Sequence, residues 1–99
     1  MRIHRFVKMT FTEEGITPFL KVFENSKEHI RNFPGCLSLQ LISDIDEPWV
    51  ICTSSIWESE TALENYRNSE LFSKTWANTK IHFKEKAFAK SYKLLHWQG

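Results

Sequence analysis

The chain has 99 residues, 41% of them hydrophobic, with 13 Lys and Arg against 12 Asp and Glu. Domains commonly run to roughly 100–150 residues, so this length suits one core and is too short for two; residues 1–99 are expected to form a single domain. The charges are interspersed rather than gathered into a stripe, which nominates neither nucleic acid nor a membrane surface as a partner.

No apolar run approaches the roughly 20 residues that span a bilayer. The stretch from Met1 to Lys8 is too broken by charge for a signal peptide, so a cytoplasmic protein is expected. Cys36 and Cys52, isolated in a reducing compartment, read as small core residues rather than as a disulfide or redox pair.

Residues 2–11 alternate, with Ile3, Val7, Met9 and Phe11 on one side and Phe6 interrupting the other, the pattern of a strand partly covered on both faces. Thr17 before Pro18 has the form of an N-cap with proline at the first helical position. Ile16, Phe19, Leu20, Phe23, Lys27 and Ile30 follow at the spacing of a buried helical stripe, and Pro34-Gly35 ends that helix near Asn32. Leu37, Leu39 and Leu41 alternate with Ser38 and Gln40 in a second strand over 36–43. Asp44 to Pro48 turns the chain into a third strand over 49–57, rich in Val, Ile, Thr and Trp. Ser59 and Ser69 each offer a cap, so 60–84 is expected as two helical pieces kinked near 68–70, with an inward stripe running from Tyr66 through Trp76 to Phe83. Ala87 to Leu95 is the last strand.

This β-α-β-β-α-β order is that of the ferredoxin-like α+β fold, a four-stranded antiparallel sheet with helices on one face. Phe88, Tyr92 and Leu94 alternate with Ala87, Ala89 and Leu95, so the other face also carries apolar groups. A second copy packed sheet to sheet would cover them, and a homodimer is the expectation.

Three segments carry a family resemblance: Phe33-Pro34-Gly35-Cys36 before the second strand, Ile56 to Leu63 running into the second helix, and Ser69-Glu70-Leu71-Phe72 opening its second piece. In this order they resemble an antibiotic biosynthesis monooxygenase (ABM) domain, over nearly the whole chain. The resemblance implies a dimeric α/β barrel with a pocket in each subunit between helices and sheet. Members of that family include oxygenases that oxidise aromatic polyketides or quinols without metal or flavin, enzymes that break down haem, and others with no known activity. By position, the Asn, Trp and haem-ligating His of the haem-degrading branch fall on Val7, Tyr66 and Trp76. An indole N–H is a donor only and cannot coordinate iron, so that chemistry is not expected. The histidines of many quinol- or polyketide-oxidising relatives fall on Tyr66 and Leu71, and the resemblance therefore supplies no general base.

Among the remaining residues, Tyr66 is a natural handle for a hydroxylated ligand, because a buried phenol needs a hydrogen-bond partner. Trp57 and Trp76 either wall a ligand or fill the core. His82, beside the inward stripe, is the best general-base candidate, or else a surface histidine at a helix end. Arg5 shares the parity of Val7 and either holds an anionic substrate or is solvated at the sheet edge. His4, His29, His82 and His96 have no metal-ligand spacing, and no phosphate loop or nucleophile elbow occurs.

Two readings remain. One is a cofactor-independent monooxygenase that brings O2 to a small phenolic, quinol or polyketide-like substrate, with Tyr66 and His82 catalytic and Trp57, Trp76, Arg5 and Val7 holding the substrate. The other is a non-catalytic dimeric ligand-binding or accessory protein on the same fold. Neither calls for a metal or a cofactor.

Overall fold

β1 (Ile3–Phe11) lies inside the sheet because its alternation gives both faces something to bury; in the computed structural model, which describes residues 1–99, it pairs antiparallel with two neighbours. The remaining elements are α1 (Ile16–Arg31), β2 (Cys36–Ser43), β3 (Val50–Trp57), α2 (Glu60–Arg67), α3 (Glu70–Lys80) and β4 (Phe83–Lys93). The sheet order is β2-β3-β1-β4, antiparallel at every pairing, so this is the ferredoxin-like α+β arrangement. No helix is long and apolar enough to cross a membrane.

The start of α1 differs from the Thr17 cap expected. Thr12 takes that part: its hydroxyl accepts from the Gly15 N–H at 3.0 Å, opening a 3-10 turn over Glu13–Gly15 that runs directly into Ile16. Pro18 still lies in the first turn of α1, where a missing N–H costs nothing. The buried stripe also shifts, since Leu20 is 43% exposed while Ser26 is buried, its hydroxyl donating to the Val22 carbonyl at 2.7 Å. Between α1 and β2 the chain turns at Gly35, whose φ of +90° lies in the left-handed region open to glycine.

The break between α2 and α3 falls at the expected place. The Ser69 hydroxyl donates to the Tyr66 carbonyl at 2.6 Å and accepts from the Phe72 N–H at 3.1 Å, ending one helix and capping the next. α3 stops earlier than its apolar spacing implied, and β4 begins at Phe83 rather than Ala87. Phe83 pairs with Phe11 of β1, and the Thr12 N–H donates to the His82 carbonyl, so the sheet claims a residue whose i+4 spacing from Thr79 also suited a helix.

All helices contribute to one face of the sheet, where two core clusters form. Ile3, Cys36, Trp57 and Leu63 fill one end, and Met9, Phe11, Phe19 and Ile51 fill the other. Cys36 and Cys52 are buried and unpaired. The opposite face carries His4, Phe6 and Lys8 beside Tyr92, Lys90 and Phe88; Phe88 remains 57% exposed and Tyr92 49%.

Candidate functional site

The gap between the two core clusters has a cause in the strand register. Arg5 and Val7 point to the helix side at mid-sheet, and Val7 lies between Thr53 on β3 and Ala89 on β4, both small. The large groups Trp57 and Met9 stand toward the two ends of that floor. A cavity of about 330 Å³ remains above it, roofed by Phe23 of α1, by Tyr66 and Arg67 of α2, and by Phe72 and Trp76 of α3. That volume is at the small end of ligand pockets, which run to roughly 300–1,000 Å³.

Aromatic rings form one wall. Trp57 stacks on Tyr66 with centroids 4.8 Å apart, and Tyr66 meets Phe72 edge-on at 5.3 Å. Phe72 stacks on Trp76 at 5.9 Å, and Trp76 meets Phe83 edge-on at 5.5 Å. Trp57 is 1% exposed, and its indole N–H donates to the Ser55 hydroxyl at 2.9 Å, so its polar edge is satisfied within the fold. Trp57 is therefore both a core residue and a cavity wall. Trp76 is half-buried and lines the cavity without a hydrogen bond to its indole N–H.

The Tyr66 hydroxyl has no partner within the chain and is not sealed from solvent, and the residue lines the cavity. Its pKa is pushed up to about 12, first by desolvation and then by the neighbouring Cys36 thiol. At neutral pH it is a phenol that can donate a hydrogen bond. Burial also raises the Cys36 thiol, a group held by its contact with the Ser38 carbonyl rather than poised for reaction. Arg5 has its pKa lowered, chiefly by desolvation and next by the positive charge of Arg67, with Glu64 acting the other way.

Of the six residues singled out in the sequence, Arg5, Val7, Trp57, Tyr66 and Trp76 meet around this one cavity. His82 does not. It follows α3 at the turn into β4, with its backbone and Cβ against Gly15, and it is absent from the cavity lining. The reason is the early start of β4, which takes residue 82 off the helical stripe. Arg67 and the Thr53 and Ser55 floor were missed. The parity of β3 relative to Trp57 could have marked the two floor residues, whereas Arg67 carried no signal beyond adjacency to Tyr66. No three His, Cys, Asp or Glu side chains gather where they could hold a metal ion.

The fold is shared with solved structures. A conserved protein from Methanosarcina mazei Go1 superposes with a TM-score of 0.90 at 15% identity, over 94% of this chain and 92% of that one. Rv0793 from Mycobacterium tuberculosis does so with 0.90 at 13% identity, over 100% of both chains. A mutant of SnoaB, a cofactor-independent oxygenase from Streptomyces nogalater, gives 0.85 at 11% identity, over 98% of this chain and 96% of that one. At such identities the likeness is one of fold. No curated protein matches by sequence. The family model described as antibiotic biosynthesis monooxygenase matches residues 2–78, from β1 through most of α3, and so takes in the elements that line the cavity apart from β4, which adds Ala89. By that match the chain belongs to the antibiotic biosynthesis monooxygenase family.

Proposed function

We propose that the chain is a cofactor-independent monooxygenase that oxidises a small aromatic substrate of the phenol, quinol or anthrone type. The observation that carries this reading is an aromatic-walled cavity lined by one phenol, Tyr66, whose hydroxyl has no partner within the chain and is not sealed from solvent. In this reading the substrate binds between Trp57, Trp76 and Val7, with an oxygen hydrogen-bonded to Tyr66. Arg5 stabilises the substrate as its electron-rich anion.

The anion itself reduces O2. For an anthrone, deprotonation of the CH2 gives a carbanion that passes one electron to O2. The two radicals join in a C–O bond, and the resulting peroxide loses water to leave a ketone. One oxygen atom ends in the product and the other in water; the CH2 carbon supplies all four electrons. Neither His82 nor any other imidazole or carboxylate lines the cavity. Proton removal therefore falls to water, assisted by the cationic field of Arg5 and Arg67, which lowers the substrate's own pKa. Haem ligation does not suit these residues, since Trp76 stands where the resemblance would require an imidazole. The same reading takes the working protein to be a cytoplasmic homodimer.

The missing base also favours a second reading, a dimeric protein that binds an aromatic ligand without converting it. Oxygen consumption with a panel of anthrones, naphthoquinols and simple quinols separates the two. Uptake above the rate without protein supports the oxygenase, and uptake with no compound leaves the binding protein.

A further inference from the structure

We infer that the ligand of this cavity is an aromatic carboxylate, its ring held among the aromatic walls and its carboxylate clamped between Arg5 from the sheet and Arg67 from α2. This deepens the reading above and rests on it.

The charge inventory of the cavity is one-sided. Of its 19 lining residues 13 are hydrophobic, and the polar remainder is two arginines and the hydroxyl residues Thr53, Ser55, Thr75 and Thr79. Two of those hydroxyls are engaged internally, Ser55 by the Trp57 indole and Thr79 by the Thr75 carbonyl. No Asp or Glu lines the space to balance the guanidinium groups.

Arg5 has no counter-ion. The ion pairs of the chain are Lys27 with Glu24, Arg67 with Glu64, and Lys74 with Glu70. The hydrogen bond Arg5 makes runs from Nη1 to the neutral Ser91 hydroxyl at 3.0 Å. A guanidinium drawn partly out of water beside apolar groups is unfavourable unless an anion completes it. Arg5 and Arg67 line the same cavity, and the positive charge of Arg67 lowers the Arg5 pKa while Glu64 acts the other way.

Arg67 is free to turn toward a ligand. Its contact with Glu64 is 3.4 Å long, between side chains 45% and 59% exposed, so solvent competes for it. Asn68 also donates to Glu64, at 3.3 Å, and can retain that carboxylate when Arg67 leaves. Two guanidinium forks approaching from sheet and helix match the two oxygens of a carboxylate, which guanidinium binds bidentately. The aromatic walls select an anion attached to a flat ring rather than a small inorganic ion. An uncharged aromatic would leave Arg5 without a counter-ion and Arg67 with only its solvent-exposed contact to Glu64.

The test uses unreactive probes of one shape, 2-naphthoate and its neutral counterpart 2-naphthamide, titrated calorimetrically against wild type, Arg5→Gln, Arg67→Gln and Arg67→Lys. Wild type is expected to bind naphthoate about tenfold or more tighter than naphthamide, as charge-assisted bidentate bonds allow. Each glutamine variant should lose most of that preference with little change toward naphthamide, and Arg67→Lys should keep part of it. Because Arg67 is exposed on a helix, its variants leave the fold intact even if Arg5→Gln does not. Equal affinity of wild type for the two probes, or a preference that survives loss of either arginine, overturns the carboxylate clamp while leaving the aromatic cavity as a binding site. No binding of either probe overturns both.

Discussion

Tyr66 is the residue on which the functional reading turns. Its hydroxyl makes no bond within the fold, so Tyr66→Phe removes no folded-state contact, and stability should change by less than the roughly 1.5 kcal/mol of a typical hydrogen bond. Turnover of any substrate found should fall. Titration gives a second readout. The unfolded phenol ionises near the usual 10.0, whereas the folded one does so only at about 12. A raised folded pKa means that this contribution is full below pH 10, declines across the window, and is gone above pH 12. Denaturant melts at alkaline pH should therefore show wild type losing more stability across that window than Tyr66→Phe. The two tryptophans divide differently. Trp57, 1% exposed and bonded to Ser55, should cost roughly 3–5 kcal/mol on replacement by Ala. Trp76, half-buried at the cavity wall, should cost less than about 3 kcal/mol, because part of its surface borders the cavity and not protein. If Trp76→Ala proves as costly as Trp57→Ala, the cavity wall is core. The type and spacing of these residues could be read from the chain, because aromatics on a helical stripe must point inward. The void itself could not. It depends on Thr53 and Ala89 flanking Val7, residues brought together only by strand register.

At the level of elements, local chemistry decided most boundaries. Ser59 and Ser69 cap α2 and α3 where their sequence context indicated, with Oγ accepting from Ala62 and Phe72 at 3.1 Å each. Boundaries missed are those where long-range pairing overrode local preference. Phe83 could extend α3 or begin β4, and pairing with Phe11 settled it, carrying His82 away from the cavity. Thr17 looked like a cap because Pro18 follows it, but Thr12 closes the turn earlier. The link between α1 and β2 is where backbone geometry constrains the sequence most tightly. Gly35 holds φ at +90°, and a Cβ there would run into the Ala62 Cβ on α2. Gly35→Ala should thus cost at least about 1–3 kcal/mol from backbone strain, plus whatever α2 must yield. Thermal denaturation checks this, and a shift no larger than that of an exposed Gly99→Ala control would show that α2 is not pinned against the turn.

For the whole molecule the outstanding question is the sheet face turned away from the helices. Its β4 edge presents Phe88 and Tyr92, 57% and 49% exposed, and β2 adds Ile42 at 46%. Lys8 and Lys90 stand among them, long enough to run their stems over apolar neighbours while keeping the ammonium in water. A standard interface takes roughly 800 Å² from each partner, about an eighth of the 6753 Å² that this chain exposes. One sheet face of four strands can supply such an area, and an isologous twofold would cover the same patch on both copies. Light scattering behind size exclusion should accordingly report about twice the chain mass of 11.8 kDa. Phe88→Asp, which places a carboxylate on the outward face, should shift the protein to the monomer and leave naphthoate binding in place, because the cavity opens on the other side of the sheet. A wild-type protein that runs as a stable monomer at micromolar concentration would rule out sheet-to-sheet pairing. A Phe88→Asp protein that stays dimeric would put the contact on another surface.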